Sequence, residues 1–166
     1  MKQYEQHWKQ IREQLDSQGF VLLPEALNNT PTYTKEKRVV RADKHSYTQT
    51  STPEEIRKLL EKIADKLSLE EYTISTQTFT TGDFTLQDSQ EPYEGVEILY
   101  MSAPEWEELF RGEITYTPTN AQPLIVPVTN NAVAIIRREN EMRSFVKRVT
   151  HYAKTNELRI SFLRSK

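Results

Sequence analysis

Between Gly112 and Arg164 the chain is cut into five apolar runs of strand length, and no break between them is long enough for a helical crossover. The runs are Glu113–Thr117, Leu124–Val128, Ala132–Arg137, Ser144–Val149 and Leu158–Leu163, rich in Ile, Val, Phe and Thr. The breaks carry Pro118, Asn120 and Pro123, then Thr129, Asn130 and Asn131, then Glu139, Asn140 and Glu141, then Lys154, Thr155 and Asn156, all residue types that turns select. Successive strands on short links are expected to pair antiparallel. So many in a row need a second sheet or a closed barrel to cover their apolar faces.

Upstream, Tyr4, Trp8, Ile11 and Leu15 share one face of a predicted helix that Asp16, Ser17, Gln18 and Gly19 end, and Phe20–Pro24 leaves it as an extended run. Residues 28–51 hold the apolar pair Val39 and Val40 among Lys35, Lys37, Arg38, Arg41, Lys44 and His45, which predicts a long surface loop with one edge strand. A second helix follows. Thr52 and Glu55 have capping-box spacing, Pro53 suits the first helical position, and Ile56, Leu59, Leu60, Ile63 and Leu67 make an apolar stripe. Tyr72–Thr80 alternates as a strand, Gly82 and Asp83 turn, Phe84–Asp88 starts another strand, and Val96–Met101 is a third. Ser102 and Glu105 then cap a short helical turn through Trp106, Leu109 and Phe110 that Gly112 closes. The expected class is α+β: a mainly antiparallel β array of about eight strands with two or three helices in the N-terminal half.

Composition narrows the functions. A chain of 166 residues, 36% hydrophobic, supports a real core and predicts one domain, with cover helices in residues 1–70 and a β core in residues 71–166. Without cysteine there is no disulfide framework, thiolate metal site or Cys nucleophile. A formal charge of -2 gives no overall pull toward nucleic acid or anionic membrane. The first fifteen residues lack the apolar core of a signal peptide, and no run approaches a membrane span, so a soluble, cytoplasmic protein is expected. Phosphate-loop and nucleophile-elbow patterns are absent.

Four stretches resemble the 2-oxoglutarate and iron(II)-dependent oxygenases of the prolyl-hydroxylase type. They are the helix end running into Asp16–Pro24, the turn Thr81–Leu86, the step Arg111–Ile114, and the closing Arg159–Phe162. The resemblance implies a double-stranded β-helix, a jelly-roll of eight strands with helices on one face, which agrees with the reading above. It also implies iron(II) held by two His and one carboxylate, and a basic residue on the last strand that binds the far carboxylate of 2-oxoglutarate.

This sequence departs from that pattern at the ligands. After Gly82, Asp83 and Phe84 the expected His falls on Asp88 and the expected carboxylate on Gln90, or in a shifted registration on Gln87 and Asp88, with no His in either case. His151 stands eight residues before Arg159 and can be proposed for the distal His, whereas aligning on Ser144, Phe145 and Val146 puts Val146 or Lys147 there. The remaining histidines are His7, in the cover helix, and His45, in the irregular region. The implied set is thus Asp88 and His151 for metal and Arg159 for 2-oxoglutarate, with no catalytic residue named. Each has a plainer reading: Asp88 as a turn former, His151 as an exposed strand residue, Arg159 as a surface cation or the partner of an internal carboxylate.

Two functions follow. One is an oxygenase-fold protein without competent iron chemistry, working as a binding or regulatory module. The other is an active oxygenase that hydroxylates a protein or other macromolecular side chain with an atypical ligand set. Arg137, Arg138, Arg143, Lys147 and Arg148 surround one turn and predict either a solvated hairpin tip or a basic ridge for RNA or an acidic protein.

Overall fold

The computed structural model describes residues 7–41, 44–86 and 93–165, with Lys35 and Glu36 as backbone only. In order they form α1 (Trp8–Gln18), β1 (Phe20–Leu23), β2 (Lys35–Arg41), β3 (His45–Thr50), α2 (Glu54–Lys66), β4 (Tyr72–Phe79), β5 (Phe84–Thr85), β6 (Gly95–Ser102), β7 (Ile114–Thr117), β8 (Leu124–Val126), β9 (Ala132–Arg138), β10 (Arg143–Val146) and β11 (Leu158–Ser165). Short 3-10 turns lie at Glu108–Phe110 and His151–Ala153.

Every strand pairing is antiparallel, and the strands divide between two sheets. The larger runs β1-β9-β6-β11-β4-β3-β2, with β5 paired to β3, and the smaller runs β10-β7-β8. Of the links joining the last five strands, only that between β7 and β8 joins strands that pair with each other; β9, β10 and β11 alternate between the sheets, β10 returning to pair with β7, which is how a jelly-roll winds. The central strands of the large sheet are covered on both sides. Leu99 and Met101 of β6, Ala134 and Ile136 of β9, and Leu158, Ile160 and Phe162 of β11 face the small sheet with Ile114, Tyr116 and Val126. The alternate residues Ile98, Tyr100, Val133, Ile135 and Leu163 face the helices.

Both helices pack as their stripes require. Trp8, Ile11 and Leu15 of α1 are buried, and Gly19 ends that helix with a left-handed φ of 69° and an N–H bond to the Leu15 carbonyl. Tyr4 lies outside the described residues. Ile56, Leu59, Leu60 and Ile63 of α2 are buried against the large sheet. The capping box does not form: Pro53 is the N-cap without a side-chain bond, and the Thr52 hydroxyl pairs with Thr76 at 2.8 Å instead. The expected loop at residues 28–51 is largely the β2–β3 hairpin. Its polar, Thr-rich sequence suits the outer end of a sheet, where side chains remain half exposed. Ser102 belongs to β6 rather than capping a helix. No helix among the described residues is long and apolar enough to cross a membrane.

Gly112 has a φ of +87°, and a Cβ there would stand 2.9 Å from Leu158 Cδ2 and 3.2 Å from Trp106 Cζ2. Backbone conformation and space both require glycine at this entry to β7. Leu60, fully buried under the large sheet, gives the simplest check of the helix packing. Leu60→Ala is expected to lower stability by about 2–5 kcal/mol and Leu60→Met by less than about 1.5 kcal/mol, read from urea midpoints. Equal, small effects would mean that α2 does not pack here.

Candidate functional site

Charge enters the space between the sheets at one end. Glu97 of β6, Arg138 of β9 and Arg164 of β11 come from three adjacent strands of the large sheet, while Tyr116 of β7 and Ser144 of β10 are register partners in the small one. Alternation places each of them. Glu97 has the parity of Leu99 and Met101, Arg138 that of Ala134 and Ile136, and Arg164 that of Ile160 and Phe162. The Glu97 and Arg138 side chains are 0% and 1% exposed, and Arg164 21%.

Glu97 is the acceptor at the centre. Tyr116 donates its hydroxyl to Oε1 at 2.6 Å; Oε2 receives the Tyr93 hydroxyl at 2.6 Å, Arg164 Nε at 3.0 Å and Arg138 Nη1 at 3.3 Å. Arg138 also donates to Ser144 Oγ at 3.0 Å and to the Met142 carbonyl at 2.5 Å. The Arg138 guanidinium stacks 4.4 Å from the Tyr93 ring centroid and 5.5 Å from that of Tyr116, and Arg164 lies 4.3 Å over Phe162. Burial alone would push the Glu97 carboxyl up, but Arg164, Arg138 and the two phenol hydrogen bonds outweigh it and hold the group below the ordinary carboxylate range. The Tyr116 and Tyr93 phenols are raised, first by burial and then by the Glu97 charge, and so stay neutral.

The residues chosen from sequence lie elsewhere. Arg159 has the opposite parity to Leu158 and Ile160, so it faces the helix side of the large sheet rather than the jelly-roll interior. There it pairs with Glu157 and stacks 4.8 Å from the Tyr33 ring centroid. Burial pushes the Tyr33 phenol up to about 12. His151 is exposed on a 3-10 turn after β10, its ring 4.0 Å from that of Tyr152, and not on a strand. Asp88, with Gln87 and Gln90, lies outside the described residues. Arg159 and His151 therefore do not converge between the sheets. Nor do the basic residues of the β9–β10 connection form one ridge. Arg137 and Arg138 point to opposite faces of β9, Arg137 pairing with Asp16 on α1 and Arg138 buried inside. Lys147 pairs with Glu113 at 3.2 Å, Arg148 lies 4.3 Å over the Phe84 ring, and Arg143 is exposed.

The interior cluster does not fit a resident iron(II). Among the described residues no three His, Asp or Glu side chains group closely enough to hold a metal ion. Glu97, the carboxylate between the sheets, already has both oxygens occupied, and two guanidiniums beside it would repel a divalent cation. Nor does Arg159, turned away and paired, fit as the seat of a dicarboxylate between the sheets.

Sequence reasoning passed over Glu97 and Arg164 and put Arg138 in a surface basic cluster, although a signal existed. A charged residue sharing the alternation of a buried strand's apolar positions is out of place unless it meets a partner. Arg164 shares parity with Leu158 and Ile160, as Glu97 does with Leu99 and Met101. What the sequence does not show is that these positions, far apart in the chain, meet across neighbouring strands.

The architecture is shared with solved oxygenases. A Pseudomonas putida prolyl-4-hydroxylase matches with a TM-score of 0.64 and 11% identity, over 96% of this chain and 98% of that one. A prolyl hydroxylase from Trichoplax adhaerens, solved in complex with a hypoxia inducible factor oxygen degradation domain peptide fragment, matches with a TM-score of 0.68 and 12% identity, over 99% and 91%. An oxidoreductase of the 2OG-Fe(II) oxygenase family from Burkholderia pseudomallei matches with a TM-score of 0.63 and 14% identity, over 97% and 92%. No protein-family model and no curated protein matches the sequence. At these identities the likeness establishes the fold, a double-stranded β-helix of the prolyl-hydroxylase type.

Two outcomes follow for the charged side chains. Glu97→Gln is expected to cost about 3–5 kcal/mol at pH 7, because the buried Arg138 guanidinium and the partly buried Arg164 guanidinium lose their counter-charge. The Glu97 carboxyl is lowered in the folded state, so its contribution is fully present above its ordinary value of 4.5 and fades as pH falls toward the folded value. The stability gap between wild type and Glu97→Gln in denaturant titrations should accordingly narrow from pH 7 to pH 3; a constant gap would contradict the assignment. Arg159→Leu is expected to lower the stability of the unliganded protein by about 1–3 kcal/mol through its lost carboxylate contact and to leave the response of the melting temperature to 2-oxoglutarate the same as in wild type.

Proposed function

We propose that this chain is an oxygenase-fold protein without competent iron chemistry that acts as a binding or regulatory module. The observation that carries this reading is the pair of guanidiniums sharing one carboxylate oxygen between the sheets, at 3.0 and 3.3 Å from Glu97 Oε2. A site that stabilises a metal cation concentrates anionic and neutral donors; this one concentrates positive charge. The placements of His151 and Arg159 support the same reading, since neither side chain is turned toward the interior. A partner with an acidic surface, whether protein or RNA backbone, would meet Arg143, Lys147 and Arg148 beside β10, whereas Arg138 is committed inside.

The test is anaerobic calorimetry with iron(II), or manganese(II) as its stand-in, followed by succinate release in the presence of 2-oxoglutarate and oxygen. Metal binding is expected to be no tighter than the high micromolar range, roughly 5 kcal/mol or less, with no succinate above background. Stoichiometric binding that His151→Ala or Asp88→Asn abolishes would instead establish the protein as an active oxygenase with an atypical ligand set.

A further inference from the structure

The cluster between the sheets is short of one negative charge. Among the described residues, Arg138 and Arg164 bring two permanent positive charges and Glu97 a single negative one, all centred on one carboxylate oxygen. Tyr93 and Tyr116 donate hydrogen bonds to Glu97 and remain neutral, so they do not make up the difference. Two donors are also left over. Arg138 Nε and Arg164 Nη2 are buried without a hydrogen-bond partner. An uncompensated guanidinium away from water is costly, and ordered water can satisfy a donor but supplies no countercharge.

The stacking shows which part of each guanidinium remains to be used. Tyr93 and Tyr116 flank Arg138, and Phe162 underlies Arg164, so the aromatic rings occupy guanidinium faces and leave the unused in-plane donors, Arg138 Nε and Arg164 Nη2, as the recognition surface. Such edges match the paired oxygens of a carboxylate or phosphate, held by charge-assisted hydrogen bonds. Solvent reaches the cluster from the side of Arg164 and Tyr93, both of which are partly exposed, whereas Glu97, Arg138 and Tyr116 are not. We propose that the end of the jelly-roll at Arg138 and Arg164 is a binding site for a small oxyanion, a carboxylate or a phosphate. Entry is from the Arg164 side, and the anion completes the charge that Glu97 leaves unbalanced. The proposal rests on the reading that this interior holds no iron, and it makes that interior a receptor for an anion.

The experiment uses the full chain and two readouts. Thermal unfolding is followed while sodium phosphate or sodium acetate is raised at constant ionic strength, balanced with a bulky sulfonate. In parallel, the 19F line of trifluoroacetate is followed as protein is added. The expected result is a saturating rise in melting temperature with at least one of the two anions, and a broadened trifluoroacetate line that the stabilising anion sharpens again. Which salt saturates first separates a carboxylate from a phosphate source. Arg164→Gln should weaken the anion by about tenfold or more, the loss expected for one charge-assisted hydrogen bond. If that variant does not fold, the trifluoroacetate titration of the wild type decides alone. A rise that does not saturate and is the same in Arg164→Gln, or an unbroadened line on wild type, overturns the proposal. So does a wild type indifferent to both anions in which Asp88→Asn or Glu91→Gln costs as much stability as Glu97→Gln, since the missing charge then comes from within the chain. Iron(II) uptake in the calorimetric test would sink the iron-free reading whatever the anions do, so the two failures are distinguishable.

Discussion

Most of what this structure does with its charged residues follows from one constraint: the central strands of the large sheet are buried on both faces. Where one face of a sheet meets water, a polar residue on an inner strand can simply turn outward. Along most of β6, β9 and β11 there is no outward side. The α1 and α2 helices close one face and the small sheet closes the other. Alternation then leaves each polar side chain a choice between two interiors. Glu97, Arg138 and Arg164 fall to the space between the sheets; Arg159, Ser161 and Ser102 fall to the helix side.

The two interiors treat polarity differently. On the helix side it is mostly neutral and paired: Thr50 with Thr78 and Thr76 with Ser161, each at 2.7 Å, form hydroxyl contacts across neighbouring strands, and the cations Arg159 and Arg137 find Glu157 and Asp16. Between the sheets it is ionic and concentrated at one end. A buried ionic triad is weak evidence for stability, because apolar side chains of similar volume often do as well or better. Keeping it means tolerating a large desolvation cost for three charged groups, and that is a reason to look for a ligand there. A second buried carboxylate has a structural explanation. Asp83, 1% exposed, accepts from Arg38, Ser46 and Thr80 and ties the turn before β5 to the β2–β3 hairpin. Its carboxyl would be raised by burial, but those hydrogen bonds hold it below its ordinary range.

The same reasoning separates fold from chemistry. A double-stranded β-helix needs an apolar interior, two sheets and helices on one side, and this chain supplies all of them at 11–14% identity to oxygenases of known structure. Iron chemistry needs three ligands converging at one point, a demand that packing does not enforce. The fold therefore does not by itself dictate which polar groups the interior holds.

How much was legible in the sequence depended on the range of the interaction that decides each feature. Local and periodic features were written there: the buried stripes of α1 and α2, the αL cap at Gly19, the strands from Tyr72 onward, and the two-sheet architecture that so many short apolar runs demand. Features carried by weak local signals were not. The β2–β3 hairpin has almost no apolar alternation and is made by pairing with β4, and the Thr52 hydroxyl found Thr76 before its own helix. Parity along β11 was readable, and it set Arg159 opposite Leu158 and Ile160. Which parity faces the interior depended on where the helices and the small sheet lie. Only the tertiary structure could decide that Glu97, Arg138 and Arg164 meet. Sequence records which side of its own strand each residue takes, whereas neighbouring strands come together through a chain order that alternates between sheets, and no local periodicity encodes it.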